Sequence, residues 1–119
     1  MTVRSHELNG TWLPIRQEMA GTELPESFYG KQRLVINDGK YELTAESDDI
    51  GELTYAEGTM DIYGKEGANA GKHFTAIYKL EKAQLTICFD FAGKAYPKIF
   101  ETKGKPTFFL SVFKKERTK

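Results

Sequence analysis

The chain is poor in the residues that most often announce chemistry. It holds one cysteine, Cys88, in 119 residues. An intramolecular disulfide is therefore excluded, and so is a zinc site built from thiolates. Its two histidines, His6 and His73, stand far apart, with neither an H-x-H nor an H-E-x-x-H spacing. No metal and no cofactor are implied. Charge of one sign is also lacking: 17 basic residues balance 17 acidic ones. A nucleic-acid partner would call for a basic face, and only the tail "FKKERTK" leans that way. No stretch approaches the ~20 apolar residues of a membrane span. The opening "MTVRSHELNG" has no apolar core of a signal peptide, and with a single cysteine this leads us to expect a cytoplasmic protein. Helical periodicity is almost absent too.

What is present is aromatic and alternating. Eight Phe, six Tyr and one Trp are a heavy load for a single small domain, taken here as residues 1–119. In "KQRLVINDGKYELTA" the pair Asp38-Gly39 is a two-residue hairpin signal, because a type I′ turn needs positive φ at both central positions. That turn sets Leu34 opposite Leu43 and Ile36 opposite Tyr41, so one face is apolar. In "KHFTAIYKLEKAQLTICFDF" a four-residue link from Glu81 to Gln84 sets Leu80 opposite Leu85, Tyr78 opposite Ile87, Ala76 opposite Phe89 and Phe74 opposite Phe91. His73, Thr75, Ile77, Lys79, Thr86, Cys88 and Asp90 fall on the other face.

Weaker strands are expected in "TWLPIRQEM", where Pro14 marks an edge or a bulge, and twice in "ELTYAEGTMDIYG", with Met60 and Ile62 inward. Further strands are expected in "PKIFET" and in "TFFLSVFKKE", with Phe108, Leu110 and Val112 on one face. Pro25-Glu26 starts one short helical turn that Gly30 ends. About eight or nine short strands in sequence order predict an all-β fold, a small antiparallel up-and-down barrel. The competing sandwich would need longer crossovers.

Gly10-Thr11-Trp12 at the start of the first strand resembles the G-x-W motif of the lipocalin and calycin barrels. That resemblance implies a Trp12 packed across the closed end of the barrel, under a basic side chain of the last strand: Lys114, Lys115 or Arg117. Together with "LNGTW", the segments "MDIYGKEGANAGK", "AIYKLEKAQLTICF", "GKAYPKIF" and "FFLSVFKKE" resemble a bacterial lipocalin-like domain family of uncharacterised function, abundant in planctomycetes. The resemblance runs from about Leu8 to Glu116. Where that family tends to have Arg-Pro, this chain has Tyr96-Pro97. The lipocalin analogy implies a small apolar ligand, at the level of fold alone.

The candidate site is then the barrel interior. Its expected lining is Tyr41, Leu43, Met60, Ile62, Phe74, Tyr78, Ile87, Phe89, Phe100 and Phe108, with the Tyr41 and Tyr78 hydroxyls orienting a small apolar or amphipathic molecule. A ligand site would show as a cavity of ~300–1,000 Å3. The contrasting reading is a filled core in a structural or interaction domain that works through its outer face, with a homodimer formed near Ile77, Cys88, Phe109 and Phe113. An enzyme is the least supported reading. His73 and Asp90 are diagonal neighbours, read as a surface ion pair on a strand rim in preference to a base and its orienter, and nothing local activates Cys88. "GKEGANAGK" lacks the Walker spacing and reads as a loop at the barrel mouth, able to gate a pocket.

Overall fold

A computed structural model describes residues 7–45 and 48–116. His6 and Arg117 lie outside the described residues. The elements in chain order are β1 (Gly10–Met19), β2 (Thr22–Glu23), α1 (Glu26–Tyr29), β3 (Arg33–Asn37), β4 (Lys40–Thr44), β5 (Asp49–Ala56), β6 (Thr59–Glu66), β7 (His73–Glu81), β8 (Gln84–Asp90) and β9 (Phe108–Lys115). All the strands form one antiparallel sheet in the order β2-β1-β3-β4-β5-β6-β7-β8-β9, and β1 also pairs with β9. That last pairing closes eight strands into a barrel and leaves β2 as an extra strand on the end of β1. Closure removes the two free edges an open sheet would present.

Local turn chemistry explains one end of the barrel. The β3–β4, β5–β6 and β7–β8 links are two-residue turns at Asp38-Gly39, Glu57-Gly58 and Lys82-Ala83, with positive φ at both positions of each. This is the turn whose twist matches that of the strands. The Lys82-Ala83 link is thus shorter than the four-residue loop its sequence suggested. Neither residue is a glycine, so no turn signal marked it. The predicted register of both hairpins is the observed one, except that β8 ends at Asp90, so Phe74 and Phe91 meet only through their rings, with centroids 4.9 Å apart.

Pro14 sits at a β-bulge: the β1–β9 register shifts between Pro14 and Arg16. Beyond it Gln17 opposes Ser111, so Gln17 faces the interior. α1 lies against β1, where the Tyr29 hydroxyl donates to the Ile15 carbonyl at 3.1 Å.

Three sequence expectations are corrected. Strand β9 has the opposite facing. Leu110 opposes Cys88 on the outer face, so Phe109, Ser111 and Phe113 point in, and Phe108, Leu110 and Val112 point out. The run Phe108–Phe113 is apolar at both parities except at Ser111, so alternation carried no phase there. "PKIFET" forms no strand. It belongs to the segment 91–107, which crosses the outside of the barrel and is held by side chains of the sheet. Thr75 donates to the Ala95 carbonyl at 2.7 Å, Thr102 accepts from the Gly21 N–H at 2.8 Å and donates to Glu18 at 3.0 Å. Phe100 rides on this segment beneath Lys79, whose Nζ lies 4.9 Å from its ring centroid.

The third correction follows from the second. Of the residues expected to form an exposed apolar outer face, Cys88 is fully buried and Phe109 and Phe113 are inside the barrel. Ile77 and Phe109 are both half-buried, but of the four only Ile77 is an outer-face residue with partial exposure. Burial pushes the Cys88 thiol up to about 11, against the lowering effect of its hydrogen bond to the Glu101 backbone. A thiolate is the reactive form, so Cys88 in the folded protein is expected to resist a disulfide reagent at pH 8 and to react at once in denaturant. Rapid labelling of the native protein would mean that the 91–107 segment lifts off easily.

Candidate functional site

The interior divides into a filled end and a hollow end. At the end with the tight turns, Trp12 is 1% exposed and its indole N–H donates to the Leu8 carbonyl at 2.9 Å. Of the basic residues proposed to cover it, Lys115 does so, with Nζ 5.6 Å from the ring centroid. Tyr78 packs edge-on against Tyr55 with centroids 5.5 Å apart, and Tyr55 accepts a hydrogen bond from the Leu8 N–H at 3.4 Å. Burial raises the pKa of both phenols.

A cavity of about 130 Å3 runs from Leu53 and Met60 in mid-barrel to Phe91 and Asn69 at the opposite end. Of the positions named from the sequence, it is lined by Tyr41, Leu43, Met60, Ile62, Phe74, Ile87 and Phe89. Tyr78, Phe100 and Phe108 are not among its walls. Tyr78 lies at the filled end, Phe100 outside on the crossing segment, and Phe108 outside under Lys105, 5.9 Å from Nζ to the ring centroid. The volume falls below the range expected for drug-sized ligands. It matches instead the ~150 Å3 apolar cavities that admit a single benzene ring.

Several lining residues were not legible as such. Phe109 and Phe113 belong to the reversed strand and Leu53 was not singled out, whereas Leu34 and Phe91, both read on the apolar faces of their hairpins, complete the wall as expected. The polar lining was missed entirely: Gln17, Gln32, Ser111, Asp49 and Asn69. Gln17 Nε2 donates to Gln32 Oε1 at 2.9 Å and to Ser111 Oγ at 3.1 Å. Asp49 opposes Leu43 and so shares the inner face with it. Its Oδ2 accepts from Asn69 Nδ2. The signal that could have found Asp49 is parity: in "DIGELTYA" it falls in step with Leu53 and Tyr55.

Asn69 reaches the cavity because its loop is tied down. Gly64 N–H donates to the Lys72 carbonyl and Gly71 N–H to the Gly64 carbonyl, both at 2.9 Å. The glycine-rich stretch is thus a hydrogen-bonded flap against β6, with one side chain in the pocket wall.

Burial pushes the Tyr41 phenol up to about 12, and the nearby Asp49 charge adds to this. Its folded pKa lies above the unfolded value near ~10, so the neutral phenol is favoured in the fold. Stability is unaffected below pH ~10 and falls as pH rises through about 12, by roughly 2–3 kcal/mol in all. Tyr41→Phe is expected to abolish that component, seen as a smaller alkaline loss of stability in urea melts at pH 9 and 11.5. Identical losses in both proteins would place the Tyr41 hydroxyl in contact with solvent.

The proposed His73–Asp90 pair does not form. His73 Nε2 lies 2.8 Å from Asp61 Oδ1, and Tyr63 stacks on the imidazole at 4.6 Å. Asp90 Oδ1 instead accepts from the Ala92 N–H at 2.9 Å and from Thr107 Oγ1 at 2.8 Å, which fixes both ends of the crossing segment. Tyr96, at the position where the resembled family tends to have Arg, donates to Asp61 Oδ2 at 2.6 Å, and this bond raises the phenol's pKa. The cluster is outside the barrel, with His73, Tyr63 and Tyr96 exposed. Among the described residues no three His, Cys, Asp or Glu side chains are placed to hold a metal ion.

The closed eight-stranded antiparallel barrel is compatible with a lipocalin-like fold. No family model, no curated protein and no solved structure matches the chain. Among the described residues no helix is long and apolar enough to cross a membrane.

Proposed function

We propose that the protein is a non-enzymatic binder of a small apolar or amphipathic molecule held in the barrel interior. One observation carries the reading: the barrel is filled around Trp12 yet hollow at its other end, where about 130 Å3 is walled mainly by Phe, Leu, Ile and Met side chains. Interiors ordinarily reach crystal-like packing density, and a chain with fifteen aromatic residues has ample bulk to close such a space. One of its lining residues, Phe91, is 37% exposed, so the wall at that end of the barrel reaches the surface. The lipocalin analogy supports the same reading at the level of fold alone.

A methyl-resolved NMR titration with toluene tests it. Saturable shifts are expected at Leu53, Met60, Ile62 and Ile87, with Leu8 at the filled end unmoved. No saturable shift up to the solubility of toluene would overturn it.

A further inference from the structure

The walls of the cavity are apolar except at a few atoms, and two of those are unmatched. Asp49 is 8% exposed, and aspartate is seldom buried without a partner. Its Oδ2 is held by Asn69, but its Oδ1 is buried with no hydrogen bond. No Lys, Arg or His among the described residues pairs with it. On the opposite wall Gln17 is 1% exposed, and its Oε1 is likewise buried and unbonded. A Gln amide can be turned over to exchange its oxygen and nitrogen, but a carboxylate presents acceptors whichever way it turns. Asp49 is therefore the firmer of the two. Both unmatched atoms are acceptors, and among the described residues no buried side-chain donor is left over.

A bare buried carboxylate oxygen is strongly unfavourable, and a partner that brings both a donor and a positive charge relieves it. An ammonium group has three donors and no acceptor. It is also tolerated beside aromatic faces, and Phe74, Phe89, Phe91 and Phe109 form a contiguous set here, with neighbouring centroids 4.9 to 6.1 Å apart. The volume leaves room for about one ring besides.

We propose that the cavity takes a small primary amine, an apolar body of single-ring size whose protonated nitrogen donates to Asp49 Oδ1. This rests on the interior being a ligand site, and it names the ligand's chemistry.

The test compares toluene, benzyl alcohol and benzylamine by calorimetry and NMR at pH 7, on the wild-type protein and on Asp49→Asn. Benzylamine is expected to bind wild type roughly tenfold or more tighter than either neutral compound, the usual worth of a charge-assisted hydrogen bond. Asp49→Asn is expected to erase that preference, so that benzylamine binds the variant no tighter than toluene does. If toluene binds and benzylamine binds no better, the amine is wrong and the apolar binder stands. Equal binding of benzyl alcohol and benzylamine also overturns it, since a neutral donor then suffices. If none of the three binds, the underlying reading falls as well. The wild-type comparison needs no variant, so a failure of Asp49→Asn to fold leaves the decision intact.

Discussion

Trp12→Ala is expected to destabilise the protein by about 3–5 kcal/mol, the range for removing a large buried aromatic from a packed site. Three features place Trp12 at the top of that range. It is 1% exposed, its indole N–H is satisfied by the Leu8 carbonyl, and its backbone pairs on one side with Leu34 and on the other with Lys115. Trp12 thus stands where the first strand joins the second wall to the last one, at the seam of the barrel. Truncation would leave a void beneath that seam and strand the Leu8 carbonyl. Gly10 belongs to the same device. A side chain there would meet the Lys115 stem, its Cβ falling 2.6 Å from Cε, so glycine lets the lysine lie across the indole. Equilibrium denaturation in urea reads the result. A loss under about 1 kcal/mol would mean that the end of the barrel is held by something else. Lys115→Met keeps the stem and removes the charge, and should cost no more than ~1 kcal/mol, as an exposed cation–π contact does.

The fold was legible wherever polar and apolar residues alternated at a single parity. Strands β3, β4, β7 and β8 do this, and their register could be read residue by residue. Three things broke the rule. β9 is apolar at both parities, so its facing could be decided only by its neighbour β8. β1 carries a bulge, and an extra residue reverses every later side chain, which put Gln17 inside. β5 places an acid on the inner face, where polarity argued for the outside. These departures share a consequence. The apolar wall was mostly foreseen, because burial selects for it. The polar atoms that would give the cavity a preference were not, because each violates the pattern by which interior positions are recognised. The segment 91–107 failed differently. It lies against the outer face of a sheet, so its apolar residues imitate a strand without pairing as one.

Gly64→Ala is expected to cost about 3 kcal/mol or more, with no conformational strain involved. Gly64 is absent from the positive-φ glycines, so alanine suits its backbone. The obstacle is contact: a Cβ would land inside the backbone carbonyl of Asn69, with the Asn69 carbonyl carbon 2.6 Å away. Backbone cannot swing aside as a side-chain tip can. The loop would have to move as a unit, breaking the two 2.9 Å hydrogen bonds it makes to Gly64, each worth ~1 kcal/mol. Asn69 would leave with it, and the Asp49 carboxylate would lose the only hydrogen bond it has among the described residues. Gly71→Ala is the control. It has φ +82° and nothing within 4 Å of the place its Cβ would take, so it should register backbone strain alone, ~1–2 kcal/mol. A larger loss at Gly71 than at Gly64 would mean that the flap is not clamped to β6. The link to the cavity is separable. With Asp49→Ala already in place there is no carboxylate to strand, so adding Gly64→Ala should cost less than it does in the wild type. Additive losses in that double-mutant cycle would show that the flap and the carboxylate act independently; a shortfall of about 1 kcal/mol or more would show that the loop holds Asp49 in place.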